Sequence, residues 1–208
     1  MNLLHVLCAL LIGYLLGCFQ TSYFISKIII NKDIRNLGSG NAGASNITSE
    51  MGWKYGIFTA ILDILKAYAS VYIVSVVFIN SFNQLDLMVI AGSSSVIGHI
   101  FPFFMKFKGG KGIACYIGIL LALDFNFGII SILAIILITI VTDYVSIGSI
   151  LLYTIIPLLI YFSDNYSTII LLCSMVLSIV GIIKHWININ RIINKTEIGL
   201  RSVIYKNK

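Results

Sequence analysis

Seven apolar runs, near 3–27, 56–80, 87–105, 112–123, 127–142, 147–162 and 168–186, leave this chain little choice but a membrane. Most reach or approach the ~20 residues that a helix needs to cross the hydrocarbon core of a bilayer. They are rich in Ile, Leu and Val without sustained alternation, which disfavours barrel strands. With 59% of 208 residues hydrophobic and 11% charged, no soluble domain of this length would hide enough apolar surface. In lipid, a helix satisfies its own backbone. The expected fold is an all-α integral membrane protein, a bundle of about seven transmembrane helices forming a single domain over 1–208. The fourth run is short, about 18 Å at 1.5 Å per residue, so it is tilted, longer or half-spanning. Met1 to Ile30 lacks a basic start and its apolar stretch outruns that of a cleavable signal, so it reads as a retained span.

The connections sort by charge. Segment 31–55 carries Lys32, Arg35 and Lys54, and segment 106–111 carries Lys106, Lys108 and Lys111. The tail from Lys184 adds Arg191, Lys195, Arg201, Lys206 and Lys208. The alternate connections hold Asp86, Asp124 and Asp164 with no Lys or Arg. Basic loops stay in the cytoplasm, which predicts the N-terminus outside, the C-terminus cytoplasmic and an odd number of spans.

Asp63 and Lys66 lie inside the second run, three residues apart and so on one helical face. A lone charge at the bilayer centre costs about 2.5–3.5 kcal/mol, so the two are expected to pair, either bracing the bundle or flooring a polar site. His99, ahead of Ile-Phe-Pro, is expected to pack or hydrogen-bond locally, and His5 to be incidental. Cys8, Cys18, Cys115 and Cys173 lie in or beside apolar runs with no metal-ligand spacing, and no metal site is expected. Pro102 and Pro157 fall within runs.

Three segments on the basic side carry chemistry. In the first, Asp33 to Asn46, Gly38, Gly40 and Gly43 allow left-handed turns and close approach of backbone amides to a ligand. Ser39, Asn41, Ser45 and Asn46 add neutral hydrogen-bonding groups. In the second, Lys106-Phe-Lys-Gly-Gly-Lys-Gly-Ile runs into an apolar helix, so glycine amides, lysine charge and a helix N-terminus favour an anion. It is no nucleotide-binding P-loop, because Met105 and Gly112 stand where that motif needs Gly and Ser/Thr. In the third, Lys184 to Glu197, a helix would set His185 and Asn188 on one face, and His, Asn and Glu offer proton acceptance and hydroxyl orientation. The three are expected to meet in one phosphate-handling site. A membrane enzyme, a transporter of phosphate compounds and a non-catalytic scaffold all stay open, though polar chemistry at one edge favours the enzyme.

These residues strongly resemble the bacterial acyl-phosphate:glycerol-3-phosphate acyltransferases, the PlsY family. The likeness runs through Gly-Ser-Gly-Asn-Ala-Gly-Ala-Ser-Asn at 38–46, Asp63-Ile-Leu-Lys66, Gly98-His-Ile-Phe-Pro102, Lys106 to Gly112, Tyr144 to Ser149, and His185…Asn188…Glu197. It implies seven helices in the bacterial plasma (inner) membrane with the active site facing the cytoplasm. The implied reaction moves a fatty acyl group from acyl phosphate to the 1-hydroxyl of glycerol 3-phosphate, the first acylation of phospholipid biosynthesis. By the same resemblance, Ser39, His185, Asn188 and Glu197 are catalytic. Gly38, Gly40, Asn41, Gly43, Asn46, Lys108, Gly109, Gly110, Lys111, Gly112 and Ser146 bind substrate or phosphate, the glycine amides at 109, 110 and 112 among them. No metal, coenzyme A or other cofactor is implied. The partners are the two substrates, the bilayer and, as a candidate, the soluble enzyme that makes acyl phosphate; nucleic acid is not among them. The chain departs from the pattern at Ser49, where many relatives carry Arg and for which Lys54 is a possible substitute, and at Ala67 and Lys195, where Gly is usual.

Overall fold

The computed structural model describes residues 1–206; the side chain of Lys206 and all of Lys208, both counted in the basic tail, lie outside the described residues. The described residues are helical, without strands, in the order α1 (Leu3–Cys18), α2 (Thr21–Ile30), α3 (Ala44–Met51), α4 (Trp53–Val77), α5 (Gln84–Ile100), α6 (Ile113–Leu123), α7 (Phe125–Thr142), α8 (Val145–Tyr161), α9 (Thr168–Ile193) and α10 (Leu200–Lys206). Each predicted apolar run is largely helical, the first divided between α1 and α2. Five stretches are long and apolar enough to cross a membrane: Leu3–Ile30, Trp53–Val77, Gln84–Met105, Phe125–Thr142 and Thr168–Ile193; Ile113–Leu123 and Val145–Tyr161 are shorter.

The helices form two compact units, Met1–Gly128 and the residues from Ile129 onward. In the first, α1 lies along α5 at very close range. A Cβ on Gly13 would overlap the Ala91 carbonyl, and one on Gly17 the Ser95 carbonyl, while Gly98 presses on the Tyr14 carbonyl from the other side. Small residues one turn apart let two backbones touch, the usual means of helix adhesion where lipid removes the hydrophobic drive. Helix α6 meets α4 the same way, Gly118 against the Ile64 carbonyl and Ala67.

The first run is not one helix. Phe19 and Gln20 are extended, which separates α1 from α2 and releases the Phe19 carbonyl from helical bonding. Pro102 also differs from expectation: it lies past the end of α5, in an extended step before a short turn at Phe103–Met105, as a residue without an N–H donor does at a helix exit. Pro157 stays inside α8.

In the second unit α8 packs on α9, with Gly181 against the Tyr153 ring. Helix α9 continues to Ile193, well past the apolar run, so it carries His185 and Asn188 on its buried face.

Candidate active site

The first segment is a loop closed by its own side chains. Arg35 bonds the Asp33 carboxylate through Nε and Nη2 at 2.6–3.1 Å, and its Nη1 donates to the Met105 carbonyl at 2.7 Å. The side-chain hydrogen bond from Arg35 holds the Asp33 carboxyl below the usual carboxylate range, and Asp33 raises Arg35 in return. Gly38 (φ 50°) and Gly40 (φ 78°) take the left-handed conformation. Gly43 does not: it is extended at φ −144° and leads into α3.

Asn46 is buried under this loop. Its Oδ1 accepts the Ser39 N–H at 2.8 Å, and its Nδ2 donates to the carbonyls of Ile34, Leu37 and Asn41 at 3.0–3.1 Å. Both donor hydrogens and one acceptor direction of the amide are thereby committed to shaping the loop. Ser39 and Asn41 sit half-buried on the turn so formed. Ser49 is buried beside Glu50, and Lys54 is exposed on the first turn of α4.

The second segment folds back on the end of α5. Lys106 (φ 54°) and Phe107 (φ 58°) reverse the chain. The Gly109 N–H then donates to the Ile100 carbonyl at 3.1 Å and the Gly110 N–H to the His99 carbonyl at 3.0 Å. These two amides, expected to hold phosphate, are taken up by the unsatisfied carbonyls at the C-terminus of α5. Their lack of side chains has a steric reason instead. A Cβ on Gly109 would overlap the His99 carbonyl, and one on Gly110 the His99 ring, with the Ala42 carbonyl at 2.8 Å. Gly110 is thus seated between α5 and the first segment. Gly112 is left-handed (φ 85°) and starts α6, whose first-turn amides and positive dipole end remain as anion-favouring groups. Lys108 is exposed and Lys111 half-buried.

Beneath the loop lies a charged cluster. Lys66 Nζ meets Asp63 Oδ1 at 2.8 Å, the Phe19 carbonyl at 2.5 Å and His99 Nδ1 at 2.9 Å, and Thr21 Oγ1 donates to Asp63 Oδ1 at 3.0 Å. Gln20 Nε2 donates to the His99 carbonyl at 2.8 Å. The expected Asp63–Lys66 pair is present. His99 is not packed merely locally: its ring partner lies 33 residues away.

The second unit holds the remaining candidates. Asn188 Nδ2 donates to Glu197 Oε1 at 2.5 Å, and His185 Nδ1 bonds the Gly181 carbonyl at 2.8 Å. A carbonyl only accepts, so Nδ1 carries a proton. Both His185 and Asn188 are buried. Ser146, at the start of α8, is buried with no hydrogen-bond partner for Oγ among the described residues. Asp143 ties the start of α10 to this helix start, accepting the N–H groups of Leu200 and Arg201 at 2.8 Å. The structure therefore groups Ser39, Asn41 and Lys108 to Gly112 in one unit, and Ser146, His185, Asn188 and Glu197 in the other.

The family model for glycerol-3-phosphate acyltransferase matches residues 7–195, nearly the whole chain. This chain belongs to the glycerol-3-phosphate acyltransferase family. Glycerol-3-phosphate acyltransferase 1 of Oceanobacillus iheyensis is 35% identical over 207 residues, covering 98% of this chain and 99% of its own. That of Endomicrobium trichonymphae is 37% identical over 199 residues, 96% of each chain. Two crystal structures of PlsY (YgiH), an integral membrane glycerol 3-phosphate acyltransferase, are similar throughout. The glycerol 3-phosphate form has a TM-score of 0.83 at 32% identity, covering 94% of this chain and 95% of that one. The lysophosphatidic acid form has a TM-score of 0.80 at 31% identity, covering 96% and 98%. This acyltransferase is accordingly an integral membrane protein of the PlsY family. Gln20 and His99 escaped the sequence reading as parts of its polar interior. The available signal was three ionisable residues, Asp63, Lys66 and His99, within apolar runs that disfavour each of them alone.

Proposed function

We propose that this acyltransferase moves a fatty acyl group from acyl phosphate to the 1-hydroxyl of glycerol 3-phosphate, giving 1-acyl-glycerol 3-phosphate and inorganic phosphate. Family membership supports the transfer to glycerol 3-phosphate, and relatives crystallised in glycerol 3-phosphate and lysophosphatidic acid forms fit that acceptor and product. The observation that carries the reading is the junction in the first unit. Gly110 seats between His99 and Ala42, and Arg35 bonds Met105, so the Ser39 turn adjoins a lysine-flanked loop at a helix N-terminus.

The hydroxyl oxygen attacks the acyl carbonyl carbon, the carbon–oxygen bond to phosphate breaks, and phosphate leaves with the electron pair. Acyl phosphate is already activated, so the protein's tasks are positioning and charge stabilisation. Lys108, Lys111 and the α6 N-terminus, through Gly112, stabilise the leaving phosphate. Ser39 and Asn41 order the reacting groups, and Ser146 adds a phosphate contact. His185, Asn188 and Glu197 position glycerol 3-phosphate; the hydroxyl proton passes to His185 Nε2 or to a substrate phosphate oxygen. The chain is read as one transmembrane domain of seven helices, N-terminus outside and C-terminus cytoplasmic, with the site at the cytoplasmic face of the bacterial plasma membrane. A long acyl chain costs on the order of 10 kcal/mol to lift from lipid, at about 0.8 per CH₂, so a site in the membrane spares that step.

Purified protein in liposomes with radiolabelled glycerol 3-phosphate tests this. Label is expected in lipid with acyl phosphate and not with acyl-CoA. Incorporation from acyl-CoA alone would overturn the donor, and label trapped in the lumen without lipid product would make the protein a transporter.

A further inference from the structure

Lys66 has an ammonium with three hydrogens, and three acceptors surround it: Asp63 Oδ1, the Phe19 carbonyl and His99 Nδ1. The last contact decides the state of the histidine. Because Lys66 donates to Nδ1, the ring proton is on Nε2, the edge that abuts Gly110. The same residue's carbonyl accepts both the Gly110 N–H and Gln20 Nε2, filling its two lone-pair directions. His99 is thereby gripped from below by Lys66 and from the side by Gln20, and it grips the glycine loop by ring and carbonyl together. All three of Asp63, Lys66 and His99 are buried, with side chains no more than 6% exposed. An apolar brace would do for simple packing. Charge buried at this depth is costly, and it is fully satisfied here only because the first run breaks at Phe19 to release a carbonyl.

We propose that Lys66 is a positioning residue that, through His99, fixes the Lys106–Gly112 loop in the register that presents Lys108 and Lys111 to a substrate phosphate. This rests on the phosphate reading of that loop. Lys66 lies at the middle of α4 and touches no reacting atom; its effect travels by two short links, Nζ to Nδ1 and ring to Gly110.

The test compares wild type with Lys66→Met and His99→Phe in lipid nanodiscs, by hydrogen–deuterium exchange and by kinetics. Lys66→Met keeps the stem and removes the donor. His99→Phe keeps ring volume and leaves the Asp63–Lys66 pair intact, so it carries the test if the first variant is poorly folded. Exchange of the peptide covering Gly109 and Gly110 is expected to rise about tenfold, the size that follows from losing support for one or two backbone hydrogen bonds. The apparent KM for acyl phosphate should rise with it, while exchange in α1 and in α8–α9 stays as in wild type. Unchanged loop exchange in both variants overturns the proposal, as does a uniform rise across the whole chain, which would mark loss of global stability. Faster loop exchange with an unchanged KM upholds the positioning and overturns the phosphate role of the loop.

Discussion

Asn188 donates Nδ2 to Glu197 Oε1 at 2.5 Å, tying the buried face of α9 to the turn that follows it. The acceptor is a carboxylate, so the bond is charge-assisted. Glu197→Ala removes that acceptor from a buried amide, at a cost of about 1–3 kcal/mol. A lower thermal midpoint in detergent is expected, with kcat/KM for glycerol 3-phosphate down by roughly tenfold or more. Glu197→Gln keeps an acceptor oxygen and should retain most activity. Wild-type kinetics in the Ala variant would remove Glu197 from the site.

Lys195 adopts a backbone conformation that suits glycine better than lysine. It is left-handed at φ 56°, the step after α9, with its N–H on the Ile192 carbonyl and the next N–H on Arg191. This is the left-handed helix stop for which glycine has no steric penalty. Lys195→Gly is expected to raise stability by up to about 1 kcal/mol, read as a higher thermal midpoint, with turnover unchanged.

How legible all this was depends on distance along the chain. Apolar runs mark helices because lipid demands local backbone satisfaction, and the runs at 3–27 and 168–186 land on α1–α2 and α9. Where a helix ends against composition, the cause is non-local and stays hidden. The break at Phe19 answers Lys66, 47 residues on, and α9 outlasts its apolar run because His185 and Asn188 face inward. The glycine segments were recognisable as special, yet their chemistry was partly misread. Left-handed φ was expected at Gly43 and phosphate-binding amides at Gly109 and Gly110, but close packing accounts for all three. The residue type of Asn46 binds phosphate and caps loops equally well, and only its four partners in the structure reveal the loop-shaping role.

The three lysines of the second segment should not be equivalent. Lys106 sits in the reversal before the loop, whereas Lys108 and Lys111 flank the seated glycines. Lys111→Ala is expected to lower kcat by roughly 10²–10³-fold, the loss typical of one group stabilising transition-state charge, and Lys108→Ala to act in the same direction. Lys106→Ala should change kcat/KM less than either. Equal losses at all three positions would point to general surface charge instead of a defined contact.

Acid should loosen the first segment through Asp33. Its folded-state carboxyl lies below the usual range, chiefly because of the Arg35 side-chain hydrogen bond. A depressed carboxyl contributes stability above its unfolded value, near pH 4, and loses it as pH falls through the lower folded value. Hydrogen exchange in residues 33–46 is therefore expected to speed up below about pH 4, beyond the intrinsic pH effect. Asp33→Asn should show the looser behaviour already at neutral pH and no further acid transition. An unchanged acid profile in that variant would assign the transition elsewhere.

The backbone contact between α1 and α5 in the first unit offers a sharp test of how fold and site are joined. Gly17 has no room for a Cβ, because the Ser95 carbonyl and Cα stand where it would go, and neither is the tip of a flexible side chain. Gly17→Val must therefore push α1 away from α5, an overpacking cost of about 1–3 kcal/mol. Two residues later the chain supplies the Phe19 carbonyl to Lys66, and then Gln20 to the His99 carbonyl and Thr21 to Asp63. Displacing α1 strains all three bonds at once, so activity should fall further than thermal stability alone predicts. Leu11→Val, on the exposed face of the same helix, should leave both nearly unchanged, since lipid accepts either side chain. A Gly17→Val protein with lowered stability but unaltered kinetic constants at a temperature where it stays folded would separate the α1–α5 seam from the polar cluster and refute the coupling.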